Sequence, residues 1–263
     1  MRTFGWALRD GGALTVRELS HLRHEPGQLI GSIAFPGVMV LMFGYVFGSA
    51  ITVPGGGDYR EFLMPALFAM TAVVGVMPSA LLISKDAATG VVDRFRSLPI
   101  SRGVVPFGRT TADLVASSLG TAIMILVGLV VGWRMHRGVL DALAAFGLVF
   151  LLRYALSWAG VALGLSVRPE TADSFVPLVF PVTMLSNGFV PTAGMPAVLR
   201  LVADWNPVSA LVVATRGLFG NPGAAVAADA AWPLRHATVA VLGWSALLLL
   251  AFVPLASWRY RRS

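Results

Sequence analysis

The chain contains several long stretches of uncharged apolar residues, each about as long as a helix that crosses a membrane. Such a helix needs about 20 residues, because the hydrocarbon layer is about 30 Å thick and each residue adds about 1.5 Å. Hydrophobic residues make up 56% of the 263 residues and charged residues only 13%, against roughly 25% charged residues in soluble domains. The chain is therefore predicted to be an all-α integral membrane protein with a single domain, residues 1–263.

Six of these stretches are predicted to cross the membrane as helices, because a helix satisfies its own backbone hydrogen bonds in lipid. The first stretch is longer than the apolar core of a signal peptide and lacks a convincing cleavage site, so it is expected to remain as a span. The predicted spans are Leu29–Ile51, Phe62–Ser84, Leu114–Trp133, Leu140–Val167, Ser174–Val190 and Ala237–Trp258.

The fifth span is unusual, since it contains Pro177 and Pro181 and its apolar stretch is interrupted at residues 186–188. It has too few apolar residues to cross the full thickness of the membrane and is predicted to end early. Short helices are predicted to follow within Asn187–Phe219. They would form a re-entrant hairpin in the outer leaflet, ahead of the last span.

The distribution of basic residues predicts which side of the membrane each segment occupies. If both termini are cytoplasmic, more basic residues lie inside than outside, as the positive-inside rule requires. The outer segments then hold the smaller share of the basic residues, including Arg134, Arg137 and Arg216. Residues 1–28 are predicted to form a helix on the membrane surface, with an ordinary charged tail as the alternative. The net charge of +7 is thus explained by cytoplasmic loops and not by nucleic-acid binding.

Motifs for nucleotide hydrolysis and for common hydrolytic chemistry are absent from the sequence. No GxxxxGK[ST] occurs, and the only lysine, Lys85, lies outside any glycine-rich phosphate loop. There is no cysteine, so no thiolate nucleophile or Cys-based metal site exists. No glutamate or aspartate lies at the centre of a span, where an ion-coupled carrier usually needs one. The chain is predicted to be neither an enzyme nor a self-powered carrier, and to hold no metal or cofactor of its own.

Arg153 is the one charge predicted near the middle of a span, where burial costs about 2.5 to 3.5 kcal/mol unless the group faces protein or water. Ser157, Gly160 and Gly164 follow it on roughly the same helix face, and the GxxxG spacing permits close helix approach. Two interpretations remain open. Arg153 either pairs with a neighbouring polar group for packing, or lines a translocation route together with Ser157.

Arg109 and Asp113 precede the uncharged core of the third span and are one helical turn apart. Opposite charges at i and i+4 share a helix face and can pair. These two residues are therefore predicted to form an ion pair that anchors the start of the third span near the membrane interface.

Two separated parts of the sequence resemble ABC-2 type permeases, especially the daunorubicin-resistance permease group of actinobacteria. SKDAATGVVDRFRSLPISR, Ser84–Arg102, resembles the cytoplasmic loop between the second and third spans of these permeases. FPVTMLSNGFVPTAGMP, Phe180–Pro196, and NPVSALVVATRGLFG, Asn206–Gly220, resemble the outer hairpin before their last span. Together with the six-span layout, the likeness covers nearly the whole chain.

The resemblance implies a half-transporter of the bacterial cell membrane. Two permease subunits, identical or related, would assemble with two ATP-binding subunits on the cytoplasmic face, and ATP would be bound and hydrolysed there. The helix at residues 1–28 would lie near the ATPase, and residues 187–219 would close the outer gate, which makes Asn187 a further candidate for the route. The implied substrates are lipophilic drug or antibiotic molecules.

The resemblance also assigns ATPase coupling to the loop at residues 85–103, in which a short helix would dock into a groove of the ATP-binding partner. Charged side chains of this loop could pair with charges on the partner, and an apolar contact followed by proline could fix and end the helix. The residues carried over are Lys85, Asp86, Gly90, Asp93, Arg94, Arg96, Leu98 and Pro99.

Two other functions stay open at this point. The same machinery could export a lipid or glycolipid, because a lateral opening to the membrane would serve lipids and lipophilic drugs equally. A membrane anchor or sensor without transport is a different class of function. It would differ from an exporter in that residues 85–103 would bind no ATPase.

Overall fold

A computed structural model of the chain describes residues 38–42, 53, 56–90, 104–190 and 192–262. These residues form helices and turns, and no strand occurs among them, which confirms the all-α class. The predicted surface helix at residues 1–28, most of the first span and residues 91–103 of the coupling loop lie outside the described residues.

From residue 56 onward, the described chain forms ten α-helices and one short 3₁₀ turn at Thr192–Gly194. In chain order, the helices are α1 (Tyr59–Val74), α2 (Val76–Ala88), α3 (Val104–Val131), α4 (Val139–Gly164), α5 (Pro169–Ser174), α6 (Val176–Met184), α7 (Ala197–Trp205), α8 (Pro207–Phe219), α9 (Trp232–Arg235) and α10 (Ala237–Arg262).

Local sequence explains where several helices begin and end. The carboxylate of Asp58 caps α1 by accepting a hydrogen bond from the amide of Arg60 at 2.8 Å. Hydrogen bonds from the Arg60 side chain also lower the pKa of the Asp58 carboxyl. Asn206 caps α8, and Pro207 occupies the first helical position, where its fixed φ suits a helix. Gly220, with a φ of 74°, ends α8 in the left-handed conformation.

Four helical segments of the described chain are long and apolar enough to cross a membrane, and they correspond to the second, third, fourth and sixth predicted spans. The first of these segments consists of α1 and α2 together. A fifth candidate is the pair α7 and α8, which is bent by 65°. The four segments are Tyr59–Ala88, Pro106–Val131, Val139–Gly164 and Ala237–Tyr260.

Within the predicted fifth span, Ser174–Val190, the structure has one short helix, α6. Helix α5 precedes it and shares only Ser174 with the predicted span. Helix α6 ends at Met184, before the polar residues 186–188, which confirms that this segment ends early. The amide of Leu185 still bonds to the carbonyl of Pro181 at 2.8 Å, but the chain then turns away towards α7. The two helices predicted within residues 187–219 are α7 and α8.

Helix α4 is central, since it packs against α1, α2, α3, α8 and α10. Its two glycines at GxxxG spacing bring α2 unusually close. A Cβ atom added to Gly160 would lie 2.5 Å from the carbonyl oxygen of Val76, and one added to Gly164 would lie 2.3 Å from that of Ala80. Only glycine leaves room for this approach, so α2 and α4 are in backbone contact.

Buried apolar side chains form two clusters, one at each end of the bundle. At the hairpin end, where α1, α4 and α10 begin, aromatic rings pack with centroids 5.1 to 6.0 Å apart, distances that favour edge-to-face contact. These rings belong to Phe68, Trp133, Phe146 and Phe219. At the loop end, where α2 and α4 end, the cluster includes Ile83, Trp158, Val161, Ala256 and Tyr260.

Helix α7 turns its apolar side away from the other helices of the described chain. Val198, Leu201 and Trp205 are 75%, 61% and 50% exposed, whereas Asp204 on the other side is buried. Helix α8, by contrast, is buried along most of its length. An amphipathic helix with an exposed apolar side is suited to contact with lipid.

Replacing Gly164 with leucine is expected to force α2 away from α4. Overpacking of this kind lowers the free energy of unfolding by about 1 to 3 kcal/mol. Thermal unfolding of the purified protein in detergent measures the effect. Gly147→Leu is the matched control on the same helix, because a Cβ there meets nothing within 4 Å. Equal melting temperatures for the two variants would contradict a stabilising role of the close contact.

Candidate functional site

Arg153, in the middle of α4, forms an ion pair with Asp113 of α3. Its Nη2 atom lies 3.0 Å from Oδ1 of Asp113, and the two side chains are 11% and 21% exposed. The other terminal nitrogen, Nη1, donates to the carbonyl of Thr71 in α1. A carboxylate and a carbonyl thus compensate a charge that would be costly in lipid. This contact fits the packing interpretation of Arg153.

Gly75, at the junction of α1 and α2, makes room for the guanidinium of Arg153. A Cβ atom added to Gly75 would lie 2.6 Å from Cζ and from both terminal nitrogens of Arg153. The junction has helical torsion angles, with φ −66° and ψ −15°, so glycine is needed here for space and not for an unusual backbone. Arg153 therefore contacts the α1–α2 junction and α3 at the same time.

The predicted ion pair between Arg109 and Asp113 is wrong. Nη1 of Arg109 lies 3.0 Å from Oδ2 of Asp86 in α2, and Asp113 pairs with Arg153. The spacing does place both residues on one side of α3, but that side faces α2 and α4, which supply opposite charges. Because partly buried charges of neighbouring helices need compensation, these pairs form between helices. They attach α3 to α2 at the loop end and to α4 one turn deeper.

The predicted coupling residues that the structure describes lie at the end of α2. The carboxylate of Asp86 faces Arg109 of the same chain, whereas Lys85 is exposed. Gly90, with a φ of 73°, follows the helix in the left-handed conformation. The other five predicted coupling residues lie outside the described residues: Asp93, Arg94, Arg96, Leu98 and Pro99.

The three predicted route residues occupy different places. Arg153 lines a cavity of about 290 Å³ between α1–α2 and α3. Ser157 is 2% exposed, and its hydroxyl donates to the carbonyl of Tyr154 at 2.9 Å. Asn187 lines a second cavity, of about 280 Å³, beside the α7–α8 pair. The structure therefore does not bring the three residues together in one cavity.

Asn187 follows the early end of α6 and connects it to α8. Its amide donates to Oγ of Ser209 at 3.1 Å, and its carbonyl accepts from Nη1 of Arg216 at 3.1 Å. Its side-chain oxygen is buried and lacks a hydrogen-bond partner among the described residues. The backbone of Asn187 thus holds the hairpin in place, and its side chain offers a free acceptor beside the cavity.

Arg216 of α8 is a polar residue whose role the sequence did not predict, because it was only counted among the basic residues of the outer segments. It is 1% exposed, and its guanidinium lies 3.5 Å from the ring centroid of Phe62. Nε and Nη2 donate to the carbonyl of Phe62, at 3.1 and 2.9 Å. Nη1 donates to the carbonyl of Asn187 at 3.1 Å, and Nη2 to that of Gly188 at 2.8 Å.

These contacts make Arg216 a connector between three parts of the hairpin end. It joins α8 to the first turn of α1 and to the loop that follows α6. A sequence signal was available, since Arg216 is a lone charge within the apolar stretch Val208–Phe219. A charge placed on a helix with so few polar residues usually faces protein.

The long apolar helices, the ion pairs between them and the bent helix pair define a multi-pass α-helical membrane protein. Residues 11–219 match the ABC-2 type transporter family, and the chain belongs to this family.

Similarity to individual members extends over most of the chain. The chain is 29% identical over 248 residues to the daunorubicin resistance ABC transporter permease protein DrrB1 of Streptomyces coeruleorubidus. The aligned part covers 93% of this chain and 83% of that protein. The chain is 24% identical over 251 residues to the probable doxorubicin resistance ABC transporter permease protein DrrC of Mycobacterium tuberculosis, covering 95% and 87%. Identity to the probable multidrug ABC transporter permease YbhR of Escherichia coli is 24% over 183 residues, covering 67% and 49%.

Replacing Arg216 with glutamine is expected to lower thermal stability, because buried carbonyls lose their donors at about 1 to 3 kcal/mol for each group left unsatisfied. Fluorescence-detected size-exclusion chromatography after heating in detergent measures the change. Arg235→Gln removes an exposed arginine and should melt like the parent protein. If both variants melt at the parent's temperature, the connecting role of Arg216 is wrong.

Proposed function

We propose that this chain is the membrane-spanning permease subunit of an ATP-driven exporter that moves lipophilic drug or antibiotic molecules out of a bacterial cell. The observation that carries the proposal is the similarity to a daunorubicin resistance permease over 93% of the chain. Two further relatives are named for doxorubicin resistance and for multidrug transport. The membership of the ABC-2 type transporter family supports the same class of function.

The proposed layout has six spans, cytoplasmic termini and an outer hairpin. Four of the spans correspond to apolar helical segments of the described chain. The short α6 would form the fifth, and the bent pair α7–α8 the re-entrant hairpin. The exposed apolar side of α7 would then contact lipid of the outer leaflet, and the loop end of the bundle would face the cytoplasm.

ATP would be bound by a separate subunit, because this chain has no phosphate-binding loop. The loop at residues 85–103 would dock on that subunit, with Arg94, Arg96 and Leu98 as its main contacts. Helix α2 leads directly into this loop and is in backbone contact with α4. A movement of the end of α2 would therefore reach the centre of the bundle through this contact.

The coupling residues are tested by replacing Arg96 with glutamate or Leu98 with aspartate. Each variant should insert into the membrane normally but lose its ATP-binding partner, because a complementary charge or an apolar contact is removed. The measurement is copurification in mild detergent, with the partner labelled by a photoreactive ATP analogue. Arg168→Glu is the control, since Arg168 is exposed at the same end of the bundle but outside the loop.

Two outcomes would contradict the proposal. If both variants keep the labelled partner, residues 85–103 do not carry the coupling. If crosslinked membranes of the unchanged protein contain no nucleotide-labelled partner at all, a membrane anchor or sensor becomes the better interpretation.

The type of substrate requires a transport assay. Inverted membrane vesicles that contain both subunits should take up doxorubicin when ATP is added, and uptake should be lost with the Arg96→Glu permease. A fluorescent phospholipid tested in the same vesicles distinguishes the alternative. Uptake of the lipid without uptake of doxorubicin would replace drug export by lipid export.

A further inference from the structure

A third cavity, different from the one beside Asn187, lies on the other side of the Arg153–Asp113 ion pair. It is smaller, about 120 Å³, and is lined by residues of α2 and α3 at the loop end, including Asp113 and Arg109. The 290 Å³ cavity lies deeper in the bundle and is lined by Arg153. Pro78 of α2 lines both cavities. The ion pair is therefore placed where one cavity ends and the next begins.

The residues of α3 that line the two cavities form one continuous stripe. Arg109, Ala112, Asp113 and Ala116 line the cavity at the loop end, and the deeper cavity follows with Ser117, Gly120, Thr121 and Met124. Steps of three and four residues keep them on the same side of the helix. The stripe spans about 22 Å at 1.5 Å for each residue. The opposite wall is equally continuous, running from Leu82 and Ser79 of α2 to Thr71 and Leu67 of α1.

The two walls of this groove differ in how firmly they are packed. In the apolar membrane-spanning stretch of α1–α2, 61% of the residues are buried, against only 17% in that of α3. Helices α2 and α4 are in backbone contact through Gly160 and Gly164. Helix α3 packs against α1 and α4, and it forms two ion pairs with its neighbours, with Asp86 and with Arg153. The position of α3, and with it the width of the groove, thus depends in part on electrostatic contacts.

The deeper cavity is mostly apolar, and apart from Arg153 at the ion pair its polar side chains offer hydrogen-bond acceptors. Thr71, Ser117 and Thr121 each donate their hydroxyl proton to a carbonyl of their own helix, so that only oxygen lone pairs remain available. The other lining side chains include methionines, which adapt to ligands of different shape. A lipophilic molecule with hydroxyl or amide donors fits this chemistry.

We propose that the Asp113–Arg153 ion pair is a gate between the two cavities, and that opening it joins them into one path from the loop end to the middle of the membrane. The use of this path for cargo rests on the proposed export function. The gate itself does not, because it is a property of the groove that can be measured without an ATPase or a substrate.

The absence of cysteine from the chain allows a direct test with single introduced cysteines and a charged thiol reagent that does not cross lipid. Gly120→Cys reports on the deeper cavity, and a Cβ at Gly120 meets nothing within 4 Å. Ala112→Cys reports on the cavity at the loop end. Gly147→Cys, on the exposed side of α4, is a control for unfolding and should stay unlabelled throughout.

Reagent added from the loop end should label Ala112→Cys readily and Gly120→Cys slowly. Adding Asp113→Asn or Arg153→Met to the Gly120→Cys protein should raise its labelling rate about tenfold or more, the change expected when a barrier falls by ~1.4 kcal/mol. Asp113→Glu keeps the charge and should leave the rate low. Labelling at Ala112→Cys should be the same in all backgrounds.

Fast labelling of Gly120→Cys in the unchanged background would overturn the gate, and so would slow labelling in both neutralised variants. Neither result would affect the proposed export function, which the vesicle assay tests separately. Conversely, a gate that behaves as expected in a protein that transports nothing would leave the gate standing and overturn export.

Discussion

The backbone contact between α2 and α4 determines the rest of the structure. Because Gly160 and Gly164 have no side chain, the two helices approach closely enough for carbonyl groups of α2 to occupy the space of a Cβ. This contact determines how far α4 is shifted along its axis relative to the α1–α2 junction, and so it places Arg153 opposite Gly75. The charge in the middle of the bundle is therefore positioned by small residues on the helix that carries it and on the helix that it faces.

The two arginines inside the described bundle are compensated in different ways. Arg153 pairs with a carboxylate of α3, a helix that is lightly packed, so this contact joins elements able to separate. Arg216 is held by carbonyls of α1 and of the loop after α6, which belong to the densely packed hairpin end. The first contact lies where a transporter would need movement, and the second where the fold needs a fixed connection.

The sequence was sufficient to predict what depends on length and local composition. Four spans, the early end of the fifth segment and the pair of short helices after it follow from apolar stretches and from prolines such as Pro181. Contacts between helices could not be predicted in the same way. Arg109 and Asp113 have the spacing of a pair, but their partners come from helices distant in sequence. The acceptors of Arg216 could not be predicted either, because they are backbone carbonyls, which are present at every position and leave no pattern of residue types.

The nature of the acceptors of Arg216 has an evolutionary consequence. A carbonyl oxygen persists when the side chain of its residue is exchanged, so the side chain of Asn187 can vary while the arginine keeps its hydrogen bond to that carbonyl. Asp113 and Arg153 are bound by the opposite constraint, since a change of charge in one favours a compensating change in the other. Among homologous chains, the gate pair should therefore be visible as covarying positions, whereas Arg216 should be visible as an arginine that persists without a covarying charged partner.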